Sequence, residues 1–380
     1  MHHRPHPGRQ GRALAGRTAG PQPAPAARDG GASPHGTGQE GTPVNAPSVN
    51  THSVNAPSLT VNDFTDRSGQ GVAAKPYGSA LLAAARRDPR IVALTADLSG
   101  PTETDLLRDA LPDQFFQVGI AEANMMGMAG GMARCGRIPF VHTFSVFATR
   151  RAYDQLAMQI AYPRLNVKVV GFIPGLDTLL GVSHQAIDDI AMMRGLPNMH
   201  ILEPAPGQVA DAVAEAVAHE GPVYLRLARA REQAAGAAAP SSGGRGYAVL
   251  REGADGLLLA CGLSVPEAQG AADRLAARGI DVGVVAVTRL KPLSADLLAL
   301  ARAAGAVLTV ENHSIVGGLG SALAEQIAEA GCALRFGRVG VPDVFAYGAT
   351  TPHLMREFGM DAKGIARRFE ALVGVDGKAA

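Results

Sequence analysis

Glu122 is the one carboxylate in the twenty residues from Gln117 to Gly136, QVGIAEANMMGMAGGMARCG, and its neighbours are small or apolar. A glutamate is almost never fully buried without a partner. Either it faces water, or something other than protein waits for it. A strand-to-helix junction is also the ordinary place for a first-turn Glu that complements the helix dipole, so the residues alone leave both readings open. Further on, Phe144 and Phe147 in HTFSVF stand three apart. In a turn leading into a helix, that spacing presents both rings to one side. A flat heterocycle could stack there at little entropic cost, or the two rings could be plain core. His184, in SHQ, is a candidate proton carrier. At a helix start its imidazolium is disfavoured, which leaves a neutral ring able to accept or donate a proton.

The elements that must position these groups alternate from Pro76 onward. Hydrophobic period predicts helices at YGSALLAAARR, TETDLLRDALP, AEANMMGMAGGMARC, ATRRAYDQLAMQIAY, SHQAIDDIAMMR and 207–219. Thr102 or Thr104 caps the second of these, Pro163 stops the fourth, Ser183 caps the fifth, and Gly195 and Pro197 close it. Between them lie strands at IVALTAD, FFQVGI, RIPFVHTF, VKVVGFI, MHILEP and VYLRLA. Val, Ile and Leu without polar alternation mean burial on both faces, hence a parallel sheet flanked by helices. A second, smaller parallel α/β layer starts at GLLLACG and runs through IDVGVVAV, AVLTVEN, GLGSALAEQIAEAG and ALRFGRVG. Its GGLG, Gly317 to Gly320, lacks the rest of a dinucleotide fingerprint and follows the third strand, not the first. A tight turn into a closely packed helix is expected there, not a phosphate loop.

Residues 1–70 are of another composition, rich in Pro, Gly, Arg and Ala, with a short repeat VNAPSVNTHSVNAPS. They cannot bury enough apolar surface to offset ordering entropy and are expected to be disordered, with His2, His3 and His6 solvated. The expected organisation is that tail, a first domain at 71–232, a linker at 233–246 and a second domain at 247–375. The 380 residues are 47% hydrophobic and carry a net charge of +1 from 35 basic and 34 acidic side chains. Such balance gives no electrostatic argument for nucleic acid or an anionic membrane as partner. No apolar run reaches the length of a membrane span, and the N-terminus lacks a signal-peptide core. Cys135, Cys261 and Cys332 have no metal-ligand spacing and are expected to be reduced, buried thiols in a cytoplasmic protein.

DLSGPTETDLL, FFQVGIAEANMMGMAGGMARCGRIPFVHTFSVFATRRAYDQL, SHQAIDDIAMMRGLPNM and EGPVYLRLAR resemble successive motifs of the transketolase pyrimidine-binding domain. ENHSIVGGLGSALAE resembles part of the transketolase C-terminal domain. The resemblance spans about Pro76 to Leu372 in order. It implies two parallel-sheet α/β domains, thiamine diphosphate as cofactor, and transfer of a two-carbon ketol unit from a ketose to an aldehyde. It also implies roles. Glu122 shares a proton with the far nitrogen of the cofactor's aminopyrimidine and so activates it. Phe144, Phe147 and Ile120 line the pyrimidine, and Asp97 lies near the thiazolium end. His184 faces substrate, while Ser99 and Arg229 contact substrate phosphate. Arg226 joins Arg229 only if its strand bends.

The sequence also departs from that pattern. TLLGVSHQ puts Leu179 and Leu180 where transketolases carry Glu-Asp, and Phe172 stands where a histidine is expected. A less polar pocket and a less hydroxylated or unphosphorylated substrate follow, with Asp177 as a stand-in for the lost acid. No Gly-Asp-Gly occurs, so no metal ligand is expected in this chain. Mg²⁺ and the diphosphate would be held by a separate transketolase N-terminal subunit, in a dimer of heterodimers (a heterotetramer). The alternatives are a beta subunit of a 2-oxoacid dehydrogenase, a deoxyxylulose-phosphate synthase-like enzyme, and a non-catalytic scaffold of the same fold.

Overall fold

The computed structural model describes residues 75–229 and 239–374. The expected tail with its histidines, and residues 233–238 of the expected linker, lie outside the described residues. The first sheet is built from β1 (Ile91–Thr95), β2 (Phe115–Gln117), β3 (Ile138–Phe144), β4 (Lys168–Phe172), β5 (His200–Leu202) and β6 (Val223–Leu227). Around it pack α1 (Pro76–Arg87), α2 (Asp105–Ala110), α3 (Glu122–Arg134), α4 (Asp189–Gly195) and α5 (Val209–Ala218). These six strands are parallel, in the order β5-β6-β4-β3-β1-β2. Strands β1, β3, β4 and β6 are buried along their whole length, as an apolar strand covered by helices on both faces must be.

The second sheet contains β7 (Tyr247–Arg251), β8 (Gly256–Ala260), β9 (Val282–Val287), β11 (Ala306–Ser314) and β12 (Arg335–Val341), in the order β12-β11-β8-β9-β7. Its helices are α6 (Ser264–Ala276), α7 (Ala295–Ala304), α8 (Leu319–Glu329), α9 (Thr351–Glu357) and α10 (Ala362–Val373). Two strands were not expected from the sequence. β7 pairs with β9 antiparallel, and β10 (Arg289–Lys291) leaves its own layer to pair antiparallel with β5 of the first sheet. Each sheet is therefore parallel but for one antiparallel edge. β10 is too short to carry a period of its own, and Lys291 fixes it by donating to the carbonyls of Arg194 and Leu196.

A buried polar cluster joins the two layers. The guanidinium of Arg226 on β6 is fully buried and donates to Asp189 (2.8 and 3.1 Å), Glu203 (2.5 Å) and the carbonyls of Ala186 (3.2 Å) and Asn312 (2.9 Å). Burial alone would lower its pKa, but Asp189 and Glu203 hold it well above the ordinary range. Arg226 is thus a junction residue and not a substrate ligand. Asn312 on β11 extends the junction: its side chain accepts from the Leu176 N–H (3.0 Å) and donates to the Pro174 carbonyl (3.3 Å).

GGLG is the expected tight turn. The Glu311 carboxyl group accepts from the N–H groups of Leu319 (2.7 Å) and Gly320 (2.9 Å), so an internal acceptor fills the place a phosphate would take at the N-terminus of α8. A Cβ on Gly318 would sit 1.8 Å from that carboxyl group, which is why the turn needs glycine.

Several local expectations fail for identifiable reasons. Thr104 is itself helical in backbone and neither it nor Thr102 caps α2; Thr102 donates instead to the Leu98 carbonyl. The long helix expected after Phe147 is split into π-helical turns at Phe147–Arg151 and Leu156–Ala161 around one α-turn at Tyr153–Gln155. Of the three thiols only Cys261 is buried, since Cys135 is exposed at the end of α3 and Cys332 is half-buried beyond α8. No helix among the described residues is long and apolar enough to cross a membrane.

Candidate active site

Ligands of open parallel sheets bind beyond the carboxyl ends of the strands, near the point where strand order reverses. Here that point is β1, with β2 on one side and β3 on the other. Asp97 follows β1, Ile120 and Glu122 follow β2, Phe144 ends β3 and Phe147 follows it, His184 follows β4, and Arg229 follows β6. The expected site residues thus share one edge of the first sheet.

Glu122 opens α3. It is 3% exposed, and its carboxylate accepts from Arg151 at 2.9 Å. Arg151 ends the π-turn that begins at Phe147, and its guanidinium lies 3.9 Å over the Phe147 ring. Phe147 meets the His184 ring edge-on at 5.1 Å and 73°, and Phe144 at 6.2 Å. Phe144 is 3% exposed and packs in the core behind the half-buried Phe147. Glu122, Arg151, Phe147, Phe144 and His184 therefore form one continuous cluster. Beside it Ile120 is 73% exposed, an apolar side chain left on the surface next to a buried carboxylate.

His184 does not open a helix, which corrects the sequence expectation. α4 starts at Asp189, and Ala186 instead bridges Pro174 as extended chain. Arg226 holds the Ala186 carbonyl, and Arg150 grips the Asp188 carboxylate at 2.8–3.1 Å, so the segment cannot coil. Ser183 caps nothing; its hydroxyl lies 2.9 Å from His184 Nδ1. The imidazole is kept neutral by partial burial and by the nearby Arg151 charge, both of which lower its pKa, not by a helix dipole.

Asp97 is exposed, with a left-handed backbone (φ 59°), and accepts from the Gln117 side chain at 2.9 Å. Ser99 is half-buried and its hydroxyl accepts from Arg108 at 3.1 Å. Arg229 is half-buried at the end of β6. Asp97 and Ser99 are thus engaged with Gln117 and Arg108, outside the central cluster. Phe172, read as a pocket substitution, is fully buried against Tyr77 at 5.4 Å and belongs to the core. Leu179 is 40% exposed, whereas Asp177, the suggested stand-in acid, is buried. Sequence reasoning missed Arg151. The signal was present in the doubled arginine of FATRRAYDQ, but only the π-turn decides which of the two meets Glu122.

The Transketolase, pyrimidine binding domain family matches residues 73–233, and the Transketolase, C-terminal domain family matches 246–365. The chain is 42% identical over 294 residues to the 6-deoxy-6-sulfo-D-fructose transketolase subunit SqwH of Clostridium sp. (strain MSTE9), covering 77% of this chain and 91% of that one. A solved split gene transketolase, an inactive beta4 tetramer, is 40% identical with a TM-score of 0.72, covering 80% of this chain and 98% of that one. The 1-deoxy-D-xylulose-5-phosphate synthase of Syntrophotalea carbinolica (strain DSM 2380 / NBRC 103641 / GraBd1) is 38% identical over 297 residues. That match covers 76% of this chain but only 46% of that enzyme. The fold and the matches together define a protein of the thiamine-dependent superfamily. Within it, the chain belongs to the transketolase family.

Membership implies thiamine diphosphate. The cluster suits the cofactor's aminopyrimidine in chemistry: a shielded carboxylate joined through Arg151 to an aromatic face, with the exposed apolar Ile120 two residues before the carboxylate. Among the described residues no group of His, Cys, Asp and Glu could hold a metal ion.

Proposed function

We propose that this chain is the pyrimidine-side subunit of a two-chain transketolase that moves a two-carbon ketol unit from a ketose to an aldehyde. A partner subunit holds Mg²⁺ and the diphosphate, in a dimer of heterodimers. The observation that carries this is the Glu122 carboxylate, buried to 3% at the sheet's carboxyl edge and joined through Arg151 to Phe147. Bound thiamine diphosphate supplies the carbon nucleophile that breaks and remakes the ketose C–C bond. The chain's own residues have simpler tasks. Glu122 shares a proton with the aminopyrimidine, Phe147 backed by Phe144 orients the flat ring, Ile120 excludes water, and Asp97 stands toward the thiazolium end. His184, neutral and bonded to Ser183, moves a proton at the substrate, and Ser99 and Arg229 supply polar and cationic contacts to it.

The substrate is sugar-type. Leu180, where an Asp would bind a hydroxyl, beside the exposed Leu179, supports a ketose with fewer hydroxyls or with an altered terminus, and one relative is named for a sulfonated 6-deoxyfructose. Two surface cavities, of 470 Å³ against Val92, Phe116, Met128 and Cys135 and of 570 Å³ against Ser321, Arg338 and Arg368, both lie away from the cluster.

Glu122→Ala tests the reading. Turnover of the assembled enzyme is expected to fall about a hundredfold or more while the two chains still co-purify. Unchanged turnover would favour a non-catalytic scaffold. The synthase relative supports one rival reaction, and release of carbon dioxide from pyruvate by the assembled enzyme would replace ketol transfer with it.

A further inference from the structure

Arg151 holds two things at once. One N–H is bonded to the carboxylate of Glu122 at 2.9 Å, and the flat guanidinium covers a face of Phe147 at 3.9 Å. Bonding to the Glu122 carboxyl group and stacking on that ring are the two places that the proposed function gives an aminopyrimidine. The remaining surroundings of Phe147 include Phe144 and His184, so the ring has little free surface to offer a second planar group.

We propose that Arg151 is a placeholder latch: it occupies the aminopyrimidine's seat in the empty chain and must withdraw before thiamine diphosphate can be bound. The inference rests on the reading of Glu122 and Phe147 as that seat.

The anatomy of the side chain suits withdrawal. Glu122 is shielded, but the Arg151 side chain is 48% exposed, so the guanidinium can leave into water without crossing protein. It stands at the last residue of a π-turn, a local irregularity that often marks functional positions. In the empty chain the latch has a clear benefit. A shielded carboxylate with no partner is costly, and Arg151 supplies one until a ring arrives. Withdrawal has a consequence at His184. The Arg151 charge contributes to lowering the pKa of His184, so departure of the latch makes that imidazole a better base just as the site is filled.

The strength of the latch sets the size of the effect. A half-exposed ion pair and a half-exposed cation–π contact contribute modestly, so their removal is expected to tighten cofactor binding about fivefold to tenfold. The experiment uses this chain co-purified with the subunit that supplies the diphosphate-binding half. Thiamine diphosphate with Mg²⁺ is titrated calorimetrically into wild type, Arg151→Ala and Arg151→Gln. The latch predicts tighter binding by both variants, the glutamine keeping length and a planar end should the alanine variant fail to assemble. Arg151→Lys, which keeps the charge but not the flat face, is expected between wild type and alanine. Equal or weaker binding by Arg151→Ala and Arg151→Gln overturns the latch and makes Arg151 a permanent support of Glu122. Absence of binding by the wild-type pair is a different failure, because it removes the cofactor seat itself.

Discussion

Arg226 and Arg151 both meet buried carboxylates, and they do so in opposite ways. Arg226 is fully buried at the layer junction and divides its donors among Asp189, Glu203 and two backbone carbonyls. Arg151 gives one hydrogen bond to Glu122, rests on an aromatic face and keeps nearly half its side chain in water. The first arrangement is closed: every neighbour is supplied by the chain, and the charge is a fastener. The second is open on the solvent side, and its cation can exchange for another donor. Burial of a charged group is therefore a poor sign of function by itself. What matters is whether the partner of that group can leave.

The comparison can be broken at the fastener. Arg226→Met strands Asp189 and Glu203 without their cation, and loss of one member of a buried ion cluster costs roughly 3–5 kcal/mol. Thermal or urea unfolding of this variant should show that loss, together with loosening of the His184 segment that Arg226 holds at Ala186. A variant as stable as wild type would erase the distinction between the two sites.

The junction can be sharpened by pH. Burial lowers the pKa of His313 from 6.5 to about 4, so between those values the folded chain binds fewer protons than the unfolded one. Its contribution is complete above pH 6.5 and is lost as pH falls toward 4. Burial raises Glu311 from 4.5 to about 7, against the Gly320 and Leu319 N–H bonds that favour its charged form. Its contribution is complete below pH 4.5 and is lost as pH rises toward 7. Each amounts to on the order of 3 kcal/mol, and between pH 4.5 and 6.5 they oppose each other. His313→Gln should uncover the Glu311 slope, so that this variant loses stability relative to wild type as pH rises through that window. Parallel pH profiles for the two proteins would contradict the assignment.

Much of the fold was legible because its signals are local. Short runs rich in β-branched residues, such as VKVVGFI, read as buried strands of a parallel layer, and this one is such a strand. The sheet edges were not legible, since three-residue β10 has no period and is defined by the strand it meets in the other layer. The positions of Glu122, Phe147 and His184 at one edge followed from motif spacing and strand polarity. Their electrostatics did not. Ser183 looks like a helix cap by composition, yet long-range bonds to Ala186 and Asp188 from Arg226 and Arg150 pull the segment straight. Arg151 was hidden for a related reason: in a regular helix its neighbours would differ, and the π-turn is invisible to a 3.6-residue period.

On the proposed function, this chain supplies only part of the cofactor seat. The direct test is thiamine diphosphate binding with Mg²⁺, measured calorimetrically for this chain alone, for the chain joined to the subunit carrying the diphosphate-binding half, and for the joined pair with Glu122→Gln. The expected result is no measurable binding by the chain alone, saturable binding by the pair, and binding weakened severalfold or more by the substitution. Tight binding and full turnover by the isolated chain, or a pair indifferent to Glu122→Gln, would contradict it.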